Sequence, residues 1–536
     1  MRGNSTTAQG HSLASAGLCR LVVPCGSREQ TDCSRRPLTE SPMIISHDLG
    51  TTGDKATLVD ATGRVVAAVT ARYDTDFGPR GKAEQDPHSW WLAVCSATRD
   101  LLGSVPGVGK VEGVSFSGQM MGAVLLDGSG EPIRPAIIWA DTRSTNQTDQ
   151  LLARVGMDIG YRITGHRLNP TYSLTKVMWV RDNEPEVFAR ARHVVLAKDF
   201  IVHRLTGAIV TDPSDASSTN AYDQAAATWS DELIAAADLE LALFPEVVPS
   251  TTVVGTVTPA AAEATGLTSG TPVVLGGGDG PMAALGVGVV DAASGAYTYL
   301  GSSSWVSLAA DAPLHDPEMR TMTFNHVIPN RYVPTATMQA GGASLQWVMD
   351  LLAPDDDTRY ERLLSSASAV QASADGLYFL PHLLGERSPY WNPHARAVFA
   401  GLARHHGRAH VARAVVEGVA FNLYTGLRAF MDNGPIIDNV DAIGGAANSS
   451  DLLAIFADIW GLPVHRRNLV DEATALGAAV VGGVGVGLFE GFDVAQQMSE
   501  RTEEHQPTSA AHDRYSGEYE IFLDAYRRLE PWFELL

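Results

Sequence analysis

The sequence of 536 residues has four cysteines, 39 basic residues against 61 acidic ones, and no long apolar run. Three of the cysteines fall within the first 42 residues and none forms a CxxC pair, which argues against a disulfide-stapled scaffold and a cysteine metal site. A net charge of −22 disfavours nucleic acid and anionic membranes as partners. Because a spanning helix needs about 18 apolar residues in a row, none is expected. These absences favour a reduced, cytoplasmic globular protein.

Several nucleotide and hydrolase motifs are also missing. The sequence has no GxxxxGK[ST], which argues against a P-loop kinase. The glycine-rich run at residues 482–487 lacks GxGxxG spacing and follows a helical pattern, so it gives little support to a dinucleotide-binding fold. No GxSxG elbow with a plausible triad is present.

The most informative feature is a pattern that occurs twice. A β-rich run at residues 44–48 leads into Leu49-Gly50-Thr51-Thr52-Gly53, and a similar run at residues 296–300 leads into Gly301-Ser302-Ser303-Ser304. Another strand-like run follows each turn. Such a hairpin can hold phosphate oxygens on its backbone N–H groups and hydroxyls. Two of them predict a duplicated α/β domain with a nucleotide between the halves, and hence a phosphotransferase.

The chain is too long for one core, so two domains are expected. Strands alternate with helical stretches, which favours α/β layers, and the halves meet near residue 290 without a flexible linker. Residues 1–42 differ from the rest, being rich in Ser, Thr, Gly and Arg. They are predicted to be a disordered extension, with Met43 as an alternative natural start.

Two carboxylates at strand ends are the candidate catalytic and metal-binding groups. Asp279 follows three glycines and precedes a predicted helix, so it could accept a proton from a sugar hydroxyl or could cap that helix. Asp48 lies between a strand and the first turn, where it could hold Mg²⁺ or bond to its own backbone. Both alternatives stay open on spacing alone.

Other polar and apolar groups have two interpretations each. Lys55 could contact a transferring phosphate or be a solvated strand lysine. Asp141 and Arg143 could bind sugar or form a salt-bridged loop. Met120 and Met121 could form an apolar wall against a sugar carbon chain or fill the core.

At these residues the chain resembles the FGGY family of carbohydrate kinases, in its xylulokinase-like branch. The resemblance covers roughly residues 43–500 and includes two family signatures. One is Lys-Val-Met-Trp-Val-Arg-Asp-Asn at residues 176–183. The other begins with Ala-Val-Phe-Ala-Gly-Leu at residues 397–402 and closes at residues 410–417. The order of the motifs is more specific than any one of them.

The resemblance implies an α/β fold with two actin-like ATPase (RNase-H-like) domains flanking a central cleft. Residues 43–290 would form the sugar-binding domain and residues 291–536 the nucleotide-binding domain. It also implies ATP-dependent, Mg²⁺-assisted phosphorylation of a sugar hydroxyl. By motif match, the catalytic base is Asp279, the metal-linked acids are Asp48 and Asp279, the substrate contacts are Gln119, Met120, Met121, Asp141, Arg143 and Asp279, and the ATP contacts are Thr51, Thr52, Lys55, Gly301, Ser302, Ser303, Gly444, Gly445, Ala446 and Asn448.

The chain departs from the family pattern at the sugar side. Met121 stands where xylulokinase-like members commonly have His, and Gly280 where they commonly have Asn. Each change removes a side chain that could bond a sugar hydroxyl, which alters discrimination between sugars. The expected substrate is a ketopentose such as xylulose; ribulose, glycerol, erythritol, an aldonate, and a non-catalytic sugar sensor remain alternatives. No nucleic-acid or membrane partner is expected, and a homodimer is kept open.

Overall fold

The computed structural model describes residues 41–536 apart from 108, 355, 357 and 469–471. Residues 1–40 of the extension expected over residues 1–42 therefore lie outside the described residues. The strands are, in chain order, β1 (Met43–Leu49), β2 (Gly53–Asp60), β3 (Val65–Arg72), β4 (Asp76–Gly78), β5 (Lys82–Gln85), β6 (Val111–Gly118), β7 (Val124–Leu126), β8 (Ala136–Ile137), β9 (His193–Val195), β10 (Val210–Thr211), β11 (Tyr222–Asp223), β12 (Thr228–Trp229), β13 (Glu246–Val247), β14 (Val253–Thr256), β15 (Pro272–Val274), β16 (Gly277–Gly278), β17 (Ala296–Leu300), β18 (Ser304–Leu308), β19 (Met322–Asn325), β20 (Tyr332–Met338), β21 (Tyr378–Leu380), β22 (Val398–Ala400), β23 (Val440–Ile443), β24 (Val464–Arg467) and β25 (Arg501–His505).

Helices alternate with these strands along most of the chain, as the sequence pattern predicts. They are α1 (Pro87–Ser104), α2 (Thr145–Val155), α3 (Met157–Thr164), α4 (Ser173–Asn183), α5 (Pro185–Phe188), α6 (Ala197–Thr206), α7 (Pro213–Ser217), α8 (Asp231–Ala236), α9 (Pro259–Thr265), α10 (Asp279–Val287), α11 (Gly341–Leu352), α12 (Arg359–Ser368), α13 (Arg408–Asn433), α14 (Ser450–Trp460), α15 (Ala473–Gly485), α16 (Val494–Met498) and α17 (Ser509–Phe533). Among the described residues, none of the helices combines the length and hydropathy needed to cross a bilayer.

The two large sheets have the same arrangement. In the first, the strand order is β14-β15-β6-β1-β2-β3, with β1, β2 and β3 antiparallel and β1, β6 and β15 parallel. In the second, the order is β25-β24-β23-β17-β18-β20-β19, with β17, β18 and β20 antiparallel and β17, β23 and β24 parallel. Three antiparallel strands joined to two parallel strands are therefore built twice, and β19 extends the second sheet beyond β20. This confirms the duplicated, RNase-H-like architecture.

Each sheet has its own apolar core. Alternate residues of the strands, such as Ile45 and Val114, pack with Val94 of α1 and Ile201 of α6 in the first lobe. In the second lobe, Val306 and other strand residues pack against the long helices α13 and α17. Most residues of β1, β6 and β17 are buried, polar ones included, as expected for strands that are covered on both faces.

Helix α15 comes late in the chain but packs on the first sheet. Its Leu476 and Ala479 share an apolar cluster with Ile44 of β1. It also crosses α10 at close range, because a Cβ on Gly477 would lie 2.0 Å from the Met282 carbonyl oxygen. Only a glycine permits that approach. The domain division at residues 290 and 291 stays a prediction from the sequence. Helix α15 follows that division in the chain, although the strands that it covers precede the division.

Candidate active site

The first phosphate hairpin is braced by the surrounding first lobe. The Thr51 hydroxyl accepts a hydrogen bond from the Trp139 indole N–H at 3.0 Å, and the Thr51 carbonyl accepts one from the Gln85 amide at 2.6 Å. The Tyr73 hydroxyl donates to the Gly50 carbonyl. Thr52, at the tip, is exposed. The turn is thus held rigid from behind while its tip remains open to a ligand.

Asp48 lies at the end of β1, directly opposite Lys55 on β2. The Thr474 hydroxyl of α15 donates to its carboxylate at 2.6 Å. Burial raises the pKa of Asp48, the Thr474 and Ser117 hydroxyls lower it, and the negative charge of Asp54 adds to the rise. Lys55 is 3.7 Å from Glu472, just before α15. The metal-linked position predicted from the sequence is therefore anchored from a helix that lies far away in the chain.

Asp279 is the first residue of α10, and Gly278 occupies the N-cap position. Its carboxylate accepts the Gly280 N–H at 2.8 Å. Burial raises the pKa of Asp279 to about 7, with a further contribution from the negative charge of Asp48. The two carboxylates are therefore close enough to influence each other. An acid with a pKa near neutrality is suited to take up a proton at physiological pH.

The start of α10 lies at the junction of the two lobes. Ala283 and Val287 of this helix share an apolar cluster with Tyr297 of β17 and Ile443 of β23. These are the two strands that lead into the second hairpin turn and the glycine-rich turn. The helix that carries Asp279 thus rests on the strands that carry the expected ATP-binding loops.

The predicted sugar-contact residues follow β6, next to the Asp279 loop. The Gln119 amide donates to Gln85 at 2.8 Å, while its own oxygen is buried with no hydrogen-bond partner among the described protein atoms. Met120 is 5% exposed and packs so closely on the backbone that a Cβ on Gly278 would lie 2.7 Å from its side chain. Met121 has a φ of 63°, and its N–H donates to the Ser218 hydroxyl.

Asp141 and Arg143 are engaged with protein partners. Asp141, 1% exposed, accepts the Ala83 N–H at 2.8 Å and the Arg143 guanidinium at 2.8 Å. Arg143 also lies 2.6 Å from Glu84 and 4.3 Å from the centroid of the Trp179 ring. This is the salt-bridged loop that the sequence left open as an alternative to sugar binding.

The second hairpin turn is joined to the start of α11. The Gly342 N–H donates to the Gly301 carbonyl at 2.7 Å, and the Ala343 N–H donates to the Ser302 carbonyl at 3.0 Å. A Cβ on Gly342 would lie 2.3 Å from the Gly301 oxygen, so only glycine allows this contact. Ser302 is exposed and Ser303 is half-buried. The backbone carbonyls of Gly301 and Ser302 are thus bonded to the start of α11, while the Ser302 side chain is exposed.

The glycine-rich turn after β23 lies beside the second hairpin. Gly444 has a φ of +93°, and a Cβ there would come within 2.8 Å of the Leu300 backbone. A Cβ on Gly445, by contrast, would meet nothing within 4 Å. Ala446 is buried and Asn448 is exposed, after which α14 begins. The structure therefore brings together the two segments predicted to bind ATP and leaves Gly445 and Asn448 open to solvent.

Two residues of the site were missed in the sequence. Thr474 lies 426 residues from Asp48, and no local pattern links the two. Arg387 belongs to the loop between β21 and β22, and its guanidinium lies 5.7 Å from the centroid of the Trp139 ring in the other lobe. Burial lowers the pKa of Arg387. Its place after Gly385-Glu386 in a loop with proline was visible in the sequence, but its contact was not.

Comparisons with known proteins identify the family of the chain. Residues 43–286 match the N-terminal domain of the FGGY family of carbohydrate kinases, and residues 296–486 match its C-terminal domain. The xylulose kinase of Escherichia coli K12 is 34% identical over 489 residues, 91% of this chain and 99% of that protein. Two solved structures from Lactobacillus acidophilus, a ligand-bound xylulose kinase and a gluconate kinase, both superpose with a TM-score of 0.87. They are 27% and 28% identical, and each comparison covers 91% of this chain and 98% of the other. The chain belongs to the FGGY family of carbohydrate kinases.

Proposed function

We propose that this protein transfers the terminal phosphate of ATP to a hydroxyl of a ketopentose such as xylulose, with Asp279 as the catalytic base. The observation that carries the proposal is the Asp279 carboxylate, which has a pKa of about 7 and lies beside Asp48 at the junction of the lobes. A base of this kind typically contributes about 10²–10⁴ in rate. The same arrangement of acids opposes the alternative of a sugar sensor without turnover.

The donor set around Asp48 fits Mg²⁺. Asp48 and Asp279 present carboxylate oxygens, the ligands that this ion prefers, and each is held by hydrogen bonds. The charge of Asp48 contributes to the raised pKa of Asp279, and a cation held here would offset that repulsion and favour both ionised carboxylates. When bound, Mg²⁺ would neutralise charge on the phosphates. We assign Asp48 to hold it, with Thr474 orienting the carboxylate.

The two phosphate turns and the glycine-rich turn provide the ATP side of the proposal. The first turn offers the exposed Thr52, and the second offers the exposed Ser302 and the half-buried Ser303. Backbone N–H groups and hydroxyls in such turns bind phosphate oxygens. The open space at Gly445 suits the base and ribose of a nucleotide. Closure of the lobes would exclude water and align the acceptor hydroxyl with the phosphate.

The sugar is proposed to bind between Gln119, Met120 and Asp279. The unpartnered oxygen of Gln119 can accept a hydrogen bond from a sugar hydroxyl, and a buried acceptor left without one costs about 1–3 kcal/mol. Asp141 and Arg143 keep the role of substrate contacts only as a prediction, since both are occupied by protein partners. Met121 and Gly280 provide no hydrogen bond from their side chains where relatives commonly have polar ones. Gluconate therefore stays the main alternative substrate.

A panel of acceptors tests the proposal. Release of ADP would be coupled to NADH oxidation with D-xylulose, D-ribulose, glycerol, erythritol and gluconate in turn. We expect the highest kcat/KM with xylulose and a loss of at least about a hundredfold in kcat for Asp279→Asn with that sugar. The matched control is Asp127→Asn, an exposed acid in a turn of the same lobe that bonds only within its own turn. Near-normal turnover in Asp279→Asn would show that Asp279 is not the catalytic base. A higher kcat/KM with gluconate than with xylulose would make gluconate the preferred substrate.

The cytoplasmic location and the homodimer remain predictions. Gel filtration with light scattering would decide the oligomeric state.

A further inference from the structure

A short serine-rich segment accepts hydrogen bonds from three backbone N–H groups in and around the site. It consists of α7 and the residue that follows it. The Ser214 hydroxyl accepts the Gly278 N–H at 2.9 Å, and the Ser218 hydroxyl accepts the Met121 N–H at 3.2 Å. The Ser217 hydroxyl accepts the N–H of Asn325 from the second lobe, at 3.0 Å. One helical turn thus contacts the base loop, the sugar-side turn and the opposite lobe.

The Ser214 hydroxyl has a defined orientation. It donates to an Asp212 carboxylate oxygen at 2.6 Å, and the same oxygen accepts the Ser250 hydroxyl at 2.7 Å. An ionised carboxylate can only accept, so the Ser214 proton must point to Asp212. The lone pairs of the Ser214 oxygen are then free for the Gly278 N–H. The hydroxyl cannot serve as a donor toward the base loop without leaving Asp212.

Asp212 is itself fixed by a buried lysine. Lys198 is 0% exposed, and its ammonium lies 3.0 Å from Asp212. Burial alone would lower the pKa of Lys198. The carboxylates of Asp199, Asp212 and Asp215 raise it well above its ordinary value, so the lysine is charged. The Lys198 ammonium holds the Asp212 carboxylate in place, which fixes the acceptor of the Ser214 hydroxyl.

The base loop has no room to shift toward α7. A Cβ on Gly277 would lie 2.7 Å from the Ser214 oxygen, so the backbone is already in contact with the hydroxyl. Gly278 is the N-cap of α10, and Asp279 is the next residue. The position of the Gly278 N–H therefore fixes the backbone from which the Asp279 side chain projects.

We propose that Ser214 is a positioning residue for Asp279, acting through the hydrogen bond to the Gly278 N–H. This inference rests on the proposed function. It predicts a main effect on the chemical step, because Ser214 contacts the loop of the base and neither Gln119 nor Met120, the other two proposed sugar contacts. A misplacement on the order of 1 Å can cost about 10²-fold in rate.

The test compares Ser214→Ala and Ser214→Cys with Ser250→Ala. Alanine leaves a small void, whereas cysteine has a larger sulfur atom that is a weak hydrogen-bond acceptor, so the two variants change packing in opposite directions. A loss of kcat common to both therefore follows the hydrogen bond and not the packing. Ser250→Ala removes a bond to the same Asp212 oxygen and leaves the Gly278 contact intact. For each variant we would measure kcat and KM with the best acceptor of the panel, sugar binding by calorimetry, and the midpoint of thermal unfolding.

Both Ser214 variants are expected to lower kcat by about ten- to a hundredfold, with sugar affinity nearly unchanged. Ser250→Ala is expected to lower the unfolding midpoint to a similar degree and to keep kcat near that of the wild type. The inference would be overturned by a kcat of Ser214→Cys equal to that of the wild type, or by a loss of kcat in Ser250→Ala as large as that in Ser214→Ala. If Ser214→Ala does not fold, Ser214→Cys decides alone. An inactive wild type would refute the proposed function instead, which keeps the two failures distinct.

Discussion

Replacing Asp279 by asparagine should stabilise the folded protein at alkaline pH relative to the wild type, in addition to lowering turnover. In the folded chain, burial and the charge of Asp48 raise the pKa of Asp279 from the ordinary 3.8 to about 7. A carboxylic acid with a raised folded pKa contributes stability that is fully present below the unfolded pKa. That contribution is lost as the pH rises through the folded pKa. Asparagine does not ionise, so the variant avoids this loss.

The size of the effect follows from the pKa. Each pH unit between the unfolded and folded pKa values changes the free energy of unfolding by 1.36 kcal/mol. Between pH 5 and pH 8, only the interval from pH 5 up to the folded pKa of about 7 contributes. These roughly two pH units lower the free energy of unfolding of the wild type by about 3 kcal/mol at most. Constant differences between the two side chains cancel, because only the change with pH is compared.

Urea unfolding of the ligand-free protein at pH 5 and pH 8 measures this difference. The advantage of Asp279→Asn over the wild type should widen with pH. Asp127→Asn provides a control of opposite sign, since hydrogen bonds within its turn lower the pKa of Asp127. The ordinary pKa of 3.8 is the higher of its unfolded and folded values, so the stability difference of this variant from the wild type should stay nearly flat between pH 5 and pH 8. A flat difference for Asp279→Asn would refute the reasoning that this carboxylate is desolvated beside Asp48.

Three further changes probe the other parts of the site. Thr474→Val removes the donor to Asp48 and should raise the Mg²⁺ concentration for half-maximal activity by about tenfold or more, measured by kinetic titration. Gly444→Ala, at a positive φ, should cost about 1–3 kcal/mol in unfolding free energy and raise the KM for ATP, while Gly445→Ala should leave stability near that of the wild type. Met121→His should raise kcat/KM for xylulose relative to gluconate by roughly five- to a hundredfold, since histidine tolerates a positive φ and restores a hydrogen bond worth about 1–3 kcal/mol.

Each of these has an outcome that contradicts it. An unchanged Mg²⁺ requirement in Thr474→Val would separate the helix hydroxyl from the metal site. Equal stability of the two glycine variants would mean that the close contact with Leu300 is relieved by a backbone shift. A sugar preference that does not change in Met121→His would place the substrate away from this turn.

The parts of the fold that follow from local rules could be predicted from the sequence. Each hairpin was visible as a β-rich run ending in glycine and hydroxyl residues, and β1–β2 and β17–β18 confirm both. A helix was predicted to follow Asp279, and it begins at Asp279 itself because Gly278 takes the N-cap position. These features depend on turn and capping chemistry within a few residues.

The remaining features depend on contacts between distant segments. Nothing near Asp48 indicates Thr474, and nothing near Asp279 indicates that a serine 65 residues earlier holds its loop. The sequence left two interpretations of Arg143 open because its ion-pair partner, Glu84, lies in a distant segment of the chain. Pairings of this kind arise from the topology of the sheets, which a single sequence does not encode locally.

The late position of α15 has a consequence for how the protein is made. Leu476 and Ala479 complete the apolar layer under β1, so a fragment ending at residue 290 would lack part of its own core. The order of synthesis therefore differs from the order of assembly. The first sheet can be finished only after nearly the entire polypeptide has left the ribosome, and a gene split between the halves would yield an N-terminal product prone to aggregation.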